Sequence, residues 1–574
     1  MKKIARLKFN FDPYLLFVLC IAVLVLLPFL NPEQVVRGHD TEVHLARIVG
    51  FVETIKTGQI PAKVYTNMLN GMGYGWGIFY PPLSVMIPAI PLGLGFDLAN
   101  SYKLFLLFCT VFSGLFMYQF VFDISGSRLQ AALTSIFYLA SPYFLTDLIM
   151  RGAVGEQLIF VFLPLIFRGT YSLLYGNQKK YLLIAVGFGG LALSHVIGLA
   201  LVVLLMAVFL LLNIKKILNR TVFAKLIFAA ILAIFSSASF LVPLFENIIS
   251  TDYWVENQTH AEDNFLYAVY PSQILGSTFT TFWAQPLGNL DEMPQSIGLI
   301  SSLIILSGLL VLPKLRVQPN GFFYFSIFII LVLSVWMCTI FFPWQKLSWL
   351  VFIQFPWRIL GIASFASSIL AAWILIMLMD KMDANILLII FTIISIVYIS
   401  PFLDFGSTEE GVYFKPYYRN YDWHSYLENE AWGYNRTFIG GGEYYPAKLY
   451  VTNIRERGTD IKVLEGSTDI DAVIRGSKLS FRFKNNQNAV LELPFAYYVG
   501  YQAKITASNG VIYKVIPTES IIGMVSIPIN GIKEGTVEVV YRGSLIGQTS
   551  FWLSFVTWFG ILGLSIKLRR SGSA

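Results

Sequence analysis

Apolar residues in this chain come in long runs. They occupy residues 14–30, 101–123, 128–149, 156–174, 181–194, 196–212, 221–245, 296–312, 322–342, 359–379, 384–402 and 549–567. A helix needs about 20 such residues to cross roughly 30 Å of hydrocarbon. The pattern predicts a mainly α polytopic membrane protein with 12 spans, or 13 if residues 79–97 also cross. That segment carries Pro81, Pro82, Pro88 and Pro91. Proline removes backbone donors and bends helices, so a re-entrant or interfacial hairpin is the expected form. The runs 181–194 and 196–212 meet at Ser194-His195 and read either as two short spans or as one broken helix.

The period changes in 403–548. Strand-like runs appear at Lys448–Val451, Leu479–Phe483, Ala489–Leu493, Val511–Ile516 and Thr536–Tyr541, with turn signals at Asn485-Asn486, Asn509-Gly510 and Asn530-Gly531. This predicts a β-sandwich or jelly-roll-like domain after an aromatic linker, Tyr413–Tyr434. The expected organisation is a membrane domain over 1–402, the β-rich domain over 403–548, and a last span with a basic tail over 549–574. The membrane domain has external loops at 31–78 and 246–295.

Composition sharpens this reading. Charged residues are 13% of the chain, about half the share in soluble domains. Phe, Tyr and Trp are abundant, as where side chains meet headgroups. The net charge of +7 sits largely in short clusters between the runs, so it argues for orientation and not for nucleic acid. Lys2, Lys3 and Arg6, Lys179-Lys180, Lys215-Lys216-Arg220, Lys314-Arg316, Lys381 and Lys567-Arg569-Arg570 mark cytoplasmic turns. Both termini are then expected in the cytoplasm and the β-rich domain outside. The first run lacks a small-residue cleavage site and reads as an uncleaved span. Cys20, Cys109 and Cys338 lie inside apolar runs and read as packing residues.

Candidate chemistry lies at the ends of the runs. After the first span, Asp40, His44 and Arg47 recur at i, i+4, i+7 beside an apolar stripe of Leu45, Ile48, Val49, Val52 and Ile55. Asp40 suits a general base or, with His44, part of a metal site; equally, it suits a helix cap. Arg151 and Glu156 flank a small-residue turn fit either for phosphate or for headgroup snorkelling and capping. His195 sits at a break in apolar sequence, open to packing, lipid-phosphate or metal roles. Arg358 follows Phe355-Pro356-Trp357 at a span entrance, where it must be paired or bind an anion. Glu443 follows three glycines, on a loop able to reach back over the membrane site or simply to lie in solvent. Nucleotide-binding phosphate loops, H-E-x-x-H and G-x-S-x-G are absent.

These motifs, in this order and with the late Leu493-Pro494-Phe495-Ala496-Tyr497-Tyr498, resemble the bacterial family of 6-pyruvoyl-tetrahydropterin synthase-related membrane proteins. That family looks like a YfhO-type branch of the GT-C membrane glycosyltransferases. The synthase in the label finds no support, because His39, His44, His195, His260 and His424 are scattered. The resemblance implies a bacterial plasma-membrane enzyme that moves a sugar from a polyprenyl-phosphate carrier to a cell-envelope glycopolymer on the outer face. Asp40 would be its base. Arg151 and Arg358 would hold the lipid phosphate. His44, Glu156 and His195 would shape the pocket or hold an optional divalent ion, and Glu443 would contact the substrate. One departure concerns the acidic pair common in such first loops: Asp40 and Glu42 would point to different sides of a helix. Alternatives are a transporter or flippase for lipid-linked sugars and a non-catalytic envelope assembly protein.

Overall fold

The computed structural model describes residues 12–31, 34–65, 68, 71–254, 261–276, 293–311, 320–408, 413–414, 443–449, 457–475 and 478–570. The basic residues Lys2, Lys3, Arg6, Lys314 and Arg316, most of the aromatic linker, Gly440–Gly442, His260 and His424 lie outside these residues.

The helices used below are α1 (Pro13–Leu24), α2 (Thr41–Lys56), α3 (Leu83–Gly93), α4 (Leu98–Ser125), α5 (Arg128–Leu139), α6 (Val154–Leu174), α7 (Leu182–Ala192), α8 (Val196–Leu212), α9 (Arg220–Ser250), α10 (Leu299–Ser307), α11 (Gly321–Cys338), α12 (Leu360–Leu378), α13 (Ala384–Thr408) and α14 (Leu545–Arg570). Among the described residues, seven helices are long and apolar enough to cross a membrane: α4, α6, α9, α11, α12 with its lead-in from Pro356, α13 and α14. An eighth span forms if α5 is joined to Pro142–Arg151, from which it is bent by 51°. The runs expected at 14–30, 181–194, 196–212 and 296–312 appear as shorter apolar helices. Helix α3, inside the proline-rich segment, has 11 residues. At 1.5 Å per residue it covers about 16 Å, roughly half a bilayer core.

Helices α6 and α12 are enclosed by their neighbours, whereas α9, α13 and α14 turn most of their surface outward. Small residues explain the enclosure of α12: Gly361, Ala363, Ser364, Ala366, Ser367, Ser368, Ala371 and Ala372 are buried and let adjacent backbones approach.

The C-terminal region is an antiparallel sheet that curls on itself before α14. Two short strands, β1 (Val35–Val36) and β2 (Tyr413–Phe414), pair with each other; the sheet's own strands are β3 (Lys462–Arg475), β4 (Leu479–Ala496), β5 (Tyr501–Ala507), β6 (Ile512–Val515), β7 (Thr518–Glu519), β8 (Met524–Pro528) and β9 (Gly535–Tyr541). Their order is β6-β5-β9-β4-β8-β7, with β3 also pairing β4. The expected strands Leu479–Phe483 and Ala489–Leu493 are one continuous strand. Asn485 and Asn488 take positive φ within it, and the pairing with β3 shifts register there. The turn signal of Asn485-Asn486 therefore makes a kink instead of a reversal: β3 stays paired with β4 across it, while on the other edge the partner changes from β9 to β8. Asn509-Gly510 and Asn530-Gly531 do lie in connections between strands. Lys448 lies in a turn, and Val451 is outside the described residues.

The sheet is fastened to the helical body. Ala496 N–H donates to Met72 O (3.0 Å), Val499 N–H to Asn247 Oδ1 (3.0 Å) and Trp254 N–H to Tyr445 O (3.1 Å). Tyr253, Tyr445 and Tyr498 are buried in this seam. It holds the 443–445 loop over residues 74–80.

Candidate functional site

The start of α2 is stitched to a distant turn. His39 N–H donates to Met150 O (2.8 Å) and Asp40 N–H to Arg151 O (2.9 Å). The two backbones meet because both carry glycine. A side chain at Gly38 would strike Arg151 and Gly152, and one at Gly152 would strike Thr41. Gly152 also takes φ +61°, a conformation costly for other residues. Asp40 stands at the N-cap of α2, where an aspartate ordinarily accepts a backbone N–H. Here it makes no such bond. Its carboxylate is half-buried and has no hydrogen-bond or ion-pair partner among the described residues. Glu42, by contrast, pairs with Arg37 at 2.9 Å.

Arg151 ends a single π-helical turn, Thr146–Arg151, a local widening that recurs at functional sites. Its guanidinium grips Glu156 through both ends, Nη1 to Oε2 at 2.6 Å and Nη2 to Oε1 at 2.8 Å. Nη1 also donates to Asp147 (2.8 Å) and Tyr143 (3.3 Å). Glu156 lies in the first turn of α6, where the helix dipole favours an anion. It also accepts from Arg358 Nε (2.9 Å) and Tyr143 Oη (3.2 Å). Gln157 holds the other oxygen of Asp147 (2.9 Å). Two carboxylates thus face two guanidiniums, and their side chains are at most 11% exposed. Arg358 comes from the short turn Pro356–Ile359 and is steadied by Gln354 Oε1 (2.7 Å) and Ile353 O (3.1 Å). Among the described residues its Nη2 has no partner.

Both nearby histidines reveal their tautomers. His195 caps α8, its Nδ1 accepting from Gly198 N–H (3.0 Å), so the proton is on Nε2, which faces Glu156 Oε1 at 3.9 Å. His44 Nδ1 accepts from Arg47 Nη1 (3.2 Å), which again leaves the proton on Nε2. Burial holds the His44 pKa well below the usual value. Arg47, His195 and Arg151 push the same way, against Glu156. His44 is therefore a neutral hydrogen-bond donor at physiological pH.

Arg47 lies beyond His44 on the same face. Its guanidinium is 2.9 Å from the centroid of Trp76 and 5.1 Å from that of Tyr80, and these rings stack at 4.6 Å. Tyr444 stacks on Phe79 at 5.2 Å, and its N–H donates to Tyr74 Oη (3.2 Å). Glu443 is thereby brought within electrostatic reach of Arg47. Tyr80 lies within the same reach of Asp40, Arg47, Glu156 and Arg358. The structure thus gathers Asp40, His44, Arg151, Glu156, His195, Arg358 and Glu443 in one neighbourhood. Residues that sequence reasoning did not nominate sit among them. Asp147 stands four before Arg151, a helical pairing distance. Tyr74, Trp76 and Tyr80 follow a visible alternation of glycine and aromatic residues, Gly71 to Tyr80.

The donor set fits a divalent ion poorly. Among the described residues no three His, Cys, Asp or Glu side chains gather as ligands, and Arg47 occupies the His44 lone pair.

A family model described as the 6-pyruvoyl-tetrahydropterin synthase related domain, a membrane protein, matches residues 78–405. The match takes in Arg151, Glu156, His195 and Arg358 and stops short of Asp40, Arg47 and the sheet. An uncharacterized protein of Lactococcus lactis subsp. cremoris (strain MG1363) is 29% identical over 261 residues, 44% of this chain. The matched region spans 42% of that relative's length.

Proposed function

This chain belongs to the 6-pyruvoyl-tetrahydropterin synthase related family of multi-pass membrane proteins, and we propose that it is a glycosyltransferase using a polyprenyl-phosphate-linked sugar. The acceptor in this reading is a cell-envelope glycopolymer at the outer face. The observation that carries it is the unpartnered Asp40 carboxylate held by backbone bonds beside a buried, arginine-rich cluster.

The chemistry follows from these groups. Asp40 takes the proton from an acceptor hydroxyl, and the oxygen attacks the anomeric carbon. The bond from that carbon to the phosphate oxygen breaks, the electron pair leaves with the phosphate, and configuration inverts. A positioned base contributes roughly 10²–10⁴-fold. Arg358, with an Nη2 to spare, meets the charge that develops on the phosphate. Arg151 has spent its fork on Glu156 and Asp147, so its part is to hold Glu156, which in turn aims Arg358. Neutral His44 and His195 offer their Nε2 protons to sugar or phosphate oxygens.

The test is Asp40→Asn in protein reconstituted with a synthetic polyprenyl-phosphate sugar, reading release of the polyprenyl phosphate. Release should fall by about 100-fold or more. Release at the wild-type rate removes Asp40 from the base role. One feature favours a flippase: buried Asp147 and Arg151 sit on the segment bent by 51° from α5, as ion pathways often do. Movement of the labelled lipid across liposomes without transfer to acceptor would support that reading instead.

A further inference from the structure

Buried charge in this neighbourhood is unevenly matched. Arg151 is bound by two carboxylates and Arg358 by one. Arg47 is 5% exposed, and no carboxylate lies within ion-pair distance of it among the described residues. Its Nη1 meets the lone pair of His44, its plane rests near Trp76, and its buried Nε has no acceptor among the described residues. Trp76 Nε1 beside it is likewise a buried donor with no acceptor among the described residues. Glu443 stands within electrostatic reach of Arg47 but makes no ion pair with it; a buried guanidinium with no bonded counter-charge is costly, and an incoming anion relieves that cost. Arg47 is also held rigidly, by an aromatic face on one side and an imidazole on the other, so its remaining donors are preorganised.

Position supports the same role. Asp40 and Arg47 share one face of α2 and stand seven residues apart, about 10 Å along the axis. A base and a leaving group on opposite faces of a sugar ring need a comparable gap. The two carboxyl groups of inverting glycosidases stand roughly 6.5–9.5 Å apart, with the reacting centre between them. Tyr80 is within electrostatic reach of both groups.

We propose that Arg47, backed by Trp76 and presented with the Trp76 indole N–H, is an anion site that receives the phosphoryl group of the substrate. Arg151 then serves the internal Glu156 cluster. This deepens the carrier-dependent transferase reading and rests on it. A phosphoryl group can arrive on a lipid or as free phosphate, and the two sources are separable.

The experiment measures binding of farnesyl phosphate, farnesol and inorganic phosphate to the full chain in neutral detergent, for wild type, Arg47→Gln and Arg47→Lys. Wild type should prefer farnesyl phosphate over farnesol by about tenfold or more, the worth of one charge-assisted contact. R47Q should lose that preference while its farnesol affinity stays unchanged. R47K keeps the charge without the planar fork and should fall between. If R47Q does not elute as folded protein, R47K decides, and an unchanged preference there overturns the proposal. A full preference retained in R47Q overturns it while leaving the carrier reading intact. No preference in wild type removes the carrier reading itself, and the proposal with it. An Arg47-dependent signal from inorganic phosphate equal to that from farnesyl phosphate supports the anion site and assigns it to the free ion.

Discussion

Helix α6 carries an ion-pair cluster at each end, and the two are built differently. At its start, Glu156 joins Arg151 and Arg358, and the Asp147, Arg151 and Glu156 side chains are 0–5% exposed. Twelve residues on, about 18 Å along the axis, Arg168 pairs with Asp123 at 2.6 Å and touches Gln119. Lys180 reaches the same Asp123 oxygen at 2.5 Å. There the side chains are 16–41% exposed. Water reaches the second cluster in part, so its pairs are better screened than those of the first. The first has lost that solvent, and every charge in it depends on a neighbour. A protein needing only a tie between helices has the cheaper kind at hand; the dry cluster calls for a functional reason.

The contrast can be broken experimentally. Glu156→Gln should be the most damaging change, leaving buried Arg358 with only neutral partners and Arg151 with Asp147 as its one carboxylate. A loss of roughly 3–5 kcal/mol is expected, read as a collapse of the thermal melting midpoint in detergent. A variant melting like wild type would show that the cluster is wetter than its geometry. Asp40→Asn should leave melting unchanged and reduce transfer by about 100-fold, roughly 3 kcal/mol of barrier. A joint loss of stability and activity would make Asp40 a structural residue.

A smaller effect concerns Lys63 in the first loop, buried and, among the described residues, donating only to the carbonyls of Gly77 (3.1 Å) and Ser239 (2.9 Å). Burial pushes its pKa from 10.5 down to about 7. Between those values the unfolded chain carries a proton there that the folded chain does not, so unfolding takes up a proton and stability rises with pH. From pH 7 to 9 the gain should be of order 1 kcal/mol per unit, and Lys63→Met should flatten that rise. A wild-type melting midpoint that falls over this range contradicts the assignment. Smallest of all, Asp123→Asn at the wet end of α6 should cost about 0–1 kcal/mol. A loss as large as that of E156Q would erase the distinction between the two ends.

The positions of the helices were legible in the chain because lipid-length apolar runs have few other uses. The polar groups at their ends were legible as candidates for a similar reason: a charge at the edge of an apolar run must have a partner. Which partner it takes was not legible. Arg151 and Arg358 share Glu156 across 202 residues of sequence, and no local spacing encodes that. Asp147 was hidden because a single carboxylate barely dents the apolarity of the run 128–149. The continuity of β4 was hidden because asparagines that tolerate positive φ mark kinks and reversals alike. The aromatic packing of Trp76 and Tyr444 depends on the sheet returning to the helical body, a tertiary fact without a local signature.

The backbone bonds from His39 and Asp40 to Met150 and Arg151 carry a practical consequence for protein engineering. Segments more than a hundred positions apart in the gene behave as one cassette, closed by a glycine on each side. A hybrid that takes its first loop from a relative while keeping its own Arg151–Gly152 corner would misalign Asp40 by the width of a side chain. Exchanging both pieces together is the graft that should keep the site aligned.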